Sequence, residues 1–495
     1  VYRTTFFRGS SVESVMEEWL SQLEMIRKDW PSLWDFEMDL KAKVGPMSVM
    51  FPLSKRMKDI DSYYDSISLE SKPFSTAAVN AVKKEFARVG GLRLRCQARV
   101  LTRMKLSTNS GNPYFTRRKS VLLKTLPCRV TLDEQFLPNG KWNNCAVLGW
   151  RGQEGGPTVN DVKQRVVWMF PFAVNVAELQ FYQPFIEAVQ HFGIVPAWVS
   201  MDAVDRRITK MFDTKGPGDL VICTDFTKFD QHFNSTLQGA ARTIYDALST
   251  GDESVTWLNQ VYPIKYEIPL AYDYGKVRVG KHGMGSGSGG TNADETVAHR
   301  MLQYEAAISS NQILNPYSQC LGDDGILTYP GITVEDVTRS YTDRGLDMNL
   351  DKQYASEQDC TYLRRWHHVN YRLGGVCVGV YSTCRAIGRL CMQERYYDPE
   401  VWSSKMVALR QLSILENVKF HPLFRQFVDF CMKGDKYRLG LDIPGFLDNI
   451  ESIAREATEL MPDFLGYTKS LGLDGSKTFS GISQWSVVRY LRSKI

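Results

Sequence analysis

The chain has 495 residues, a formal net charge of +5, 43% hydrophobic residues and 12% aromatics, enough for sizeable cores in about three compact units. No apolar run approaches a membrane span, no charged-then-apolar leader opens the chain and no G-x-x-x-x-G-K-[ST] loop occurs, so a membrane anchor, a secretory route and a built-in helicase or ATPase are not indicated. The 10 cysteines are an ordinary density for this length and fit a reducing compartment.

The sequence opens on Val1 rather than methionine, so further N-terminal residues are expected ahead of it. Up to about residue 70, Trp19, Trp30 and Trp34 amid mixed charge read as a region packed on the rest. From Phe86 to Leu132 there are Arg88, Arg93, Arg95, Arg99, Arg103, Lys105, Arg117, Arg118, Lys119, Lys124 and Arg129 and no acid. Such a one-sided run suits phosphate binding better than a generic solvated face, and the interleaved Tyr114 and Phe115 mark it as folded.

Ala177 to Phe192 reads as an amphipathic helix. Leu220 to Cys223 is uninterruptedly apolar, which predicts a buried strand with Asp225 at its C-terminal end and Asp230 shortly after. Acids are common where strands end in turns, so these two alone fit an ordinary loop equally well. From about 240 to 280, Tyr262, Tyr266, Tyr272 and Tyr274 alternate with charges, and Val277 to Val279 reads as a short strand.

Residues Gly283 to Asn292 form a glycine-rich loop leading into a helix, on which Ala293, Val297, Met301 and Leu302 share one face. Asn292 and Glu295 have the spacing of a capping box. Gly285, Gly287 and Gly290 also satisfy the dinucleotide pattern G-x-G-x-x-G. The acid nearest the required spacing, Glu305, sits inside the helix and not at the end of a following strand, which disfavours that reading.

Cys320-Leu321, a Gly-Asp-Asp-Gly turn and Ile326 to Tyr329 read as a hairpin with Asp323 and Asp324 at its tip. Two adjacent carboxylates repel unless a cation neutralises them, and hard cations such as Mg²⁺ prefer oxygen ligands. A strand delivering Asp225 beside a hairpin delivering Asp323 would supply the ligands of a two-metal site. Beyond Gly374-Gly375 the pattern turns helical over Val401 to Val418, Pro422 to Lys433 and Phe446 to Leu460. Cys377, Cys384 and Cys391 recur near His367-His368, but zinc modules usually pair close ligands as C-x-x-C, so buried inert thiols are expected.

Read in order, Asp225-x-x-x-x-Asp230, Ser286-Gly287-x-x-x-Thr291 and Gly322-Asp323-Asp324 resemble motifs A, B and C of viral RNA-dependent RNA polymerases. The pattern is most similar to the polymerases of small segmented double-stranded RNA viruses, the picobirnavirus and partitivirus group. Lys163 to Pro171 resembles motif F, Ser110-Gly111-Asn112-Pro113-Tyr114 motif G, Gly345 to Lys352 motif D and Tyr362-Leu363-Arg364-Arg365 motif E, so the likeness spans about residues 100 to 370.

The resemblance implies an α+β right-hand polymerase with fingers, an antiparallel palm sheet flanked by helices, a helical thumb and an encircling N-terminal region. The implied boundaries are 1–70 bridging fingers and thumb, 71–175 fingers, 176–239 palm, 240–280 fingers insertion, 281–375 palm, and 376–495 thumb and tail. It implies transfer of ribonucleotides from NTPs to an RNA 3′-hydroxyl with two Mg²⁺, or Mn²⁺ as a substitute, on Asp225, Asp323 and Asp324. Lys352 would protonate the leaving pyrophosphate. Lys163, Arg165, Asp230, Ser286, Gly287, Thr291 and Asn292 would bind the nucleotide. Ser110, Gly111, Pro113, Arg117, Arg118, Leu363, Arg364 and Arg365 would contact RNA. A viral capsid protein as partner, a monomeric polymerase, and a place in the virion interior and host cytoplasm follow from the same resemblance.

One position departs from many positive-strand relatives. The fourth residue after Thr291 is Glu295, where an asparagine there helps sense the ribose 2′-OH, leaving that task to Asn292 or to Asp230 with Ser286 and Thr291. Asp230 is polar where reverse transcriptases carry a bulky aromatic, which favours ribonucleotides. The alternatives are a reverse-transcriptase-like enzyme and a non-catalytic RNA-binding or capsid-associated protein keeping the fold.

Overall fold

The computed structural model describes residues 2–135, 145–461, 470–471, 477–478 and 481–495. Parts of the regions expected at 71–175 and 376–495 therefore lie outside the described residues, as does Val1. The architecture is mixed α/β, built around a four-stranded sheet in the order Gln319–Leu321, Asp324–Leu327, Val221–Thr224, Tyr354–Ser356. Every neighbouring pair is antiparallel. All four side chains of Val221–Thr224 are buried, because this interior strand is packed on both faces and so carries no polar alternation.

Behind the sheet runs the helix Thr291–Ser309, and here the structure departs from the amphipathic reading. Asp294, Glu295, His299, Arg300, Gln303 and Glu305 are buried along with the apolar positions, the mark of a central helix. Its ionic groups are paired inside. Arg300 meets Glu85 at 2.7 Å, and Lys265 meets Asp294 at 3.1 Å. Asp294 also accepts from the hydroxyls of Tyr182, Tyr245 and Tyr266, each at 2.7 Å. Glu305, the acid of the dinucleotide pattern, is bound to Arg344 and to Ser75.

The expected capping box is absent. Gly290 occupies the cap position and makes no side-chain bond, while Asn292 Oδ1 accepts from Trp198 Nε1 at 2.8 Å. A tertiary partner thus outcompetes the local one.

A second sheet joins Lys163–Met169, Ala146–Gln153, Leu270–Asp273 and Lys276–Arg278 in that order. Ala146 pairs in parallel with Leu270, so the segment expected at 240–280 shares a sheet with the earlier hairpin. The long helix begins at Phe172, behind Pro171, and ends at His191, earlier at both ends than its periodicity predicts.

The N-terminal region packs on both the C-terminal helices and the second sheet. Helices Val12–Leu23 and Pro31–Lys43 share one core with the C-terminal helices Ser404–Glu416, Phe424–Lys433 and Ile450–Leu460 through Trp19, Leu33, Leu412 and Phe427. Glu37, fully buried, accepts from Ser382, from the N–H groups of Thr383 and Cys384, and from His421 Nε2. Burial alone would raise its carboxyl, but His421 and the two N–H groups outweigh it and hold the group below the usual range. Helix Leu53–Asp65 instead packs on the second sheet, with Tyr63 and Tyr64 against Trp168.

Cys377, Cys384 and Cys391 are buried free thiols, as are most of the others. Among the described residues no helix is long and apolar enough to cross a membrane.

Candidate active site

Strand register brings the acids together. Thr224 pairs with Gly325 and Leu321 with Asp324, so Asp225 leaves the central strand beside the hairpin tip. The turn is tighter than the sequence predicts: only Gly322 and Asp323 lie outside the ladder, and Asp324 already pairs within it. Gly322 has φ +56°, a conformation that costs a side-chain-bearing residue about 1–2 kcal/mol.

The helix behind fixes this tip. The Gly322 N–H donates to Thr296 Oγ1 at 2.9 Å. The Gly322 carbonyl accepts from His299 Nδ1 at 2.8 Å, which assigns the proton to that nitrogen. Burial lowers the His299 pKa to about 4, so the imidazole stays neutral.

The Asp225 backbone is held from the other side. Its N–H donates to Gln353 Oε1 at 2.7 Å, and its carbonyl accepts from Gln353 Nε2 at 2.9 Å. Neither His299 nor Gln353 is visible in the sequence as functional, because an isolated polar residue facing a backbone group leaves no periodic signal. Lys352 stands exposed one residue before Gln353.

The acids differ in setting. Asp225 and Asp323 are exposed to solvent, yet surrounding protein, and then the charge of Asp230, still push the Asp323 carboxyl up. Burial raises Asp324 to about 7, and its Oδ2 accepts from the Leu363 N–H at 2.7 Å. Leu363 and Arg364 both have left-handed backbones, φ +54° and +58°, in the turn between Asp359–Tyr362 and Arg365–His368. Asp324 therefore secures a strained turn.

Asp230 neighbours Glu295. Burial, then the charge and hydrogen bonding of Asp230, push the Glu295 carboxyl well above the carboxylate range. No three His, Cys, Asp or Glu side chains among the described residues converge to hold a metal unaided. Exposed Asp225 and Asp323 still fit Mg²⁺, which commonly takes one or two carboxylates and completes its shell from water and substrate phosphates.

A cavity of about 360 Å³ opens beside Asp324, lined by Lys163, Arg165, Arg364, Arg385, Arg389 and Lys43 among others. Alternation along Lys163–Met169 keeps Lys163 and Arg165 on the exposed face while Val166 and Trp168 enter the core. Burial and the cations Lys43, Arg165 and Arg364 lower the Lys163 pKa against the pull of Asp225. Acids share this lining, Asp35, Asp39, Glu154, Asp359 and Glu394 besides Asp324, so the positive charge that would suit a triphosphate is confined to where Lys43, Lys163, Arg165 and Arg364 gather. Arg385 and Arg389 come from the helix Thr383–Cys391, far along the chain, and the sequence reading missed them.

The glycine-rich loop packs under this sheet. A Cβ on Gly287 would overlap the Trp168 carbonyl oxygen, and one on Gly290 the Tyr182 ring, so close backbone approach requires both glycines. Ser286 lies near Trp168 N (3.5 Å) and the Val166 carbonyl (3.4 Å). The Thr291 hydroxyl turns back on the loop carbonyls of Ser286 and Ser288 at 3.3 and 3.2 Å.

Two of the arginines expected to contact RNA turn inward. Arg365 is clamped by both Asp205 oxygens at 2.8 and 3.0 Å, and Arg118 donates to the Lys105 carbonyl at 3.0 Å with Nε buried. Arg364 lines the cavity beside Asp324. Ser110 and Gly111 are buried, the Ser110 carbonyl accepting from Phe172 N–H at 2.9 Å. Pro113 and Arg117 are exposed.

Across residues 98–431 the chain matches the family model described as viral RNA-dependent RNA polymerase. The chain belongs to that family. All of it aligns, at 64% identity and over 94% of the relative, with the "Potential RNA-dependent RNA polymerase" of Human picobirnavirus (strain Human/Thailand/Hy005102/-). It is similar over its full length to the crystal structure of the RNA-dependent RNA polymerase of a human picobirnavirus, at 63% identity, 94% coverage of that chain and TM-score 0.93. The insertion-loop deletion mutant of such an enzyme matches at 61% identity, with the same coverage of both chains and TM-score 0.91. The protein is a viral RNA-dependent RNA polymerase, a nucleotidyltransferase, which decides against the reverse-transcriptase and non-catalytic alternatives.

Proposed function

We propose that this polymerase works by two-metal phosphoryl transfer at the Asp225–Asp323 tip. The observation that carries the reading is the strand register, which leaves two solvent-reaching carboxylates at neighbouring strand ends. Asp225 and Asp323 would hold two Mg²⁺, or Mn²⁺, which supply charge neutralisation and a lowered pKa for the attacking 3′-hydroxyl. In the transfer, a bond forms between the primer O3′ and the α-phosphorus, and the bond to the pyrophosphate oxygen breaks. Lys163, Arg165 and Arg364 offset charge on the triphosphate, with Lys43, Arg385 and Arg389 extending that field into the cavity. Lys352 delivers the proton to the leaving group. Asp230, held by Glu295, accepts from the ribose 2′-OH beside Ser286 and Asn292, while Thr291 keeps the loop in shape.

In the same reading the sheet at 221–356 is the palm, the second sheet belongs to the fingers, the C-terminal helices are the thumb, and the N-terminal region bridges them. Template and product RNA run past the Pro113 and Arg117 loop and leave along the Leu363-Arg364 turn. Base choice then comes from pairing, with the protein reading backbone and duplex shape. The polymerase is a monomer in the virion interior and the host cytoplasm, with capsid protein as partner.

Calorimetric titration of Mn²⁺ in the presence of a non-hydrolysable ribonucleoside triphosphate tests the metal assignment. Tight binding that requires the nucleotide and is lost in Asp225→Asn is expected; equal binding by wild type and variant contradicts it.

A further inference from the structure

The first turns of the helix Phe172–His191 hold two loops at once. Toward the entrance loop, the Phe172 N–H donates to the Ser110 carbonyl at 2.9 Å, and the Arg118 guanidinium lies 5.5 Å from the Phe172 ring centre. Arg118 Nη2 also donates to the Asn175 side-chain oxygen at 3.0 Å. Toward the glycine-rich loop, the Asn175 amide nitrogen donates to the Gly287 carbonyl at 3.2 Å and to Glu178 Oε1 at 3.1 Å. The orientation of that amide is assigned from these neighbours, a cation on one side and two acceptors on the other.

Glu178 completes the connection. It is fully buried, and it accepts from the Gly289 N–H at 3.1 Å and from the Ser288 hydroxyl. Ser288 Oγ in turn accepts from the Gly290 N–H at 3.0 Å. Burial raises the Glu178 pKa to about 7 against the pull of Lys265, so a carboxyl is kept here at a cost that its three donors offset. The phosphoryl transfer described above uses neither Asn175 nor Glu178. The sheet holds the loop at Ser286, but glycines at 287, 289 and 290 give the loop no side chains of its own for anchoring its second half, so the helix fixes that half and with it the position of Ser288.

We propose that Asn175 and Glu178 form a strut through which the entrance loop positions the glycine-rich loop. Glu178 is a positioning residue for the incoming nucleotide, acting through Ser288 and Gly289, and Arg118 is the strut's outer link instead of an RNA ligand. The inference rests on reading the glycine-rich loop as the nucleotide's support.

Single-nucleotide incorporation on a primed RNA template separates KM for the nucleotide from kcat. Glu178→Ala and Ser288→Ala are expected to raise that KM about tenfold with kcat changed less than about twofold. Glu178→Gln restores KM, because its amide can serve the same partners with the Ser288 hydroxyl reversed. Arg118→Ala combined with Ser288→Ala is expected to be no worse than the poorer single variant, the mark of one connected unit. This pair carries the test even if Glu178→Ala does not fold. Multiplicative effects of the pair overturn the strut. So does an unmoved KM in Ser288→Ala when Ser286→Ala raises it. If Ser286→Ala also leaves KM unmoved, the nucleotide reading of the loop fails and the strut falls with it.

Discussion

Asp324 and its neighbour Asp323 are consecutive in sequence and different in work. Asp323 reaches solvent, while Asp324 commits one oxygen to the Leu363 N–H and holds a turn whose two central residues, Leu363 and Arg364, have left-handed backbones. Sequence marks both carboxylates and cannot tell them apart, because the partner of Asp324 lies on a distant hairpin. Strain kept at a turn that aims a cation into the site is a trade of stability for function. Arg364→Gly relieves it, so melting should show no loss and a gain of up to about 1 kcal/mol. The same variant should raise KM for nucleotides about tenfold through the missing cation. A destabilised protein with unchanged KM would contradict this account of the turn.

At the scale of elements, the strand and hairpin carrying the acids are legible because their signals are local: an apolar run, then glycine at a turn. The helix Thr291–Ser309 is legible as a helix but not as a central one, since its polar residues read as a solvent face until Glu85, Lys265 and Arg344 arrive from elsewhere. The basic stretch shows the same limit. Its lack of acids is real in sequence, yet Glu187 supplies one in space, bonding Arg95 and meeting Arg103 at 3.3 Å. Arg117 remains exposed while Arg118 turns inward. Arg117→Ala should therefore weaken RNA binding and reduce the slope of log affinity against log salt by about one. Arg118→Ala should leave that slope nearly unchanged. Filter binding across a salt series distinguishes them, and equal slope losses would contradict the assignment.

For the whole molecule, the N-terminal region is the part least legible in advance. Three tryptophans announce that it packs on something, but its partners sit hundreds of residues away. Glu37 is the joint: one buried carboxylate collects donors from residues 382–384 and from His421. Removing one member of such a group leaves buried donors unmatched, a cost of about 3 kcal/mol or more. Glu37→Ala should lower Tm and speed proteolysis of the first 50 or so residues. Retained Tm with slow cleavage would show that the joint contributes little.

The central claim, that Asp225 and Asp323 form the catalytic centre of this polymerase, is tested most directly by one comparison. Labelled ribonucleotide incorporation is measured on a single-stranded RNA template with Mg²⁺, for wild type and Asp323→Asn. Product from wild type and a loss of about a thousandfold or more in the variant is the predicted result, since the substitution removes a charge that the transition state requires. Equal product from both would take Asp323 out of the mechanism.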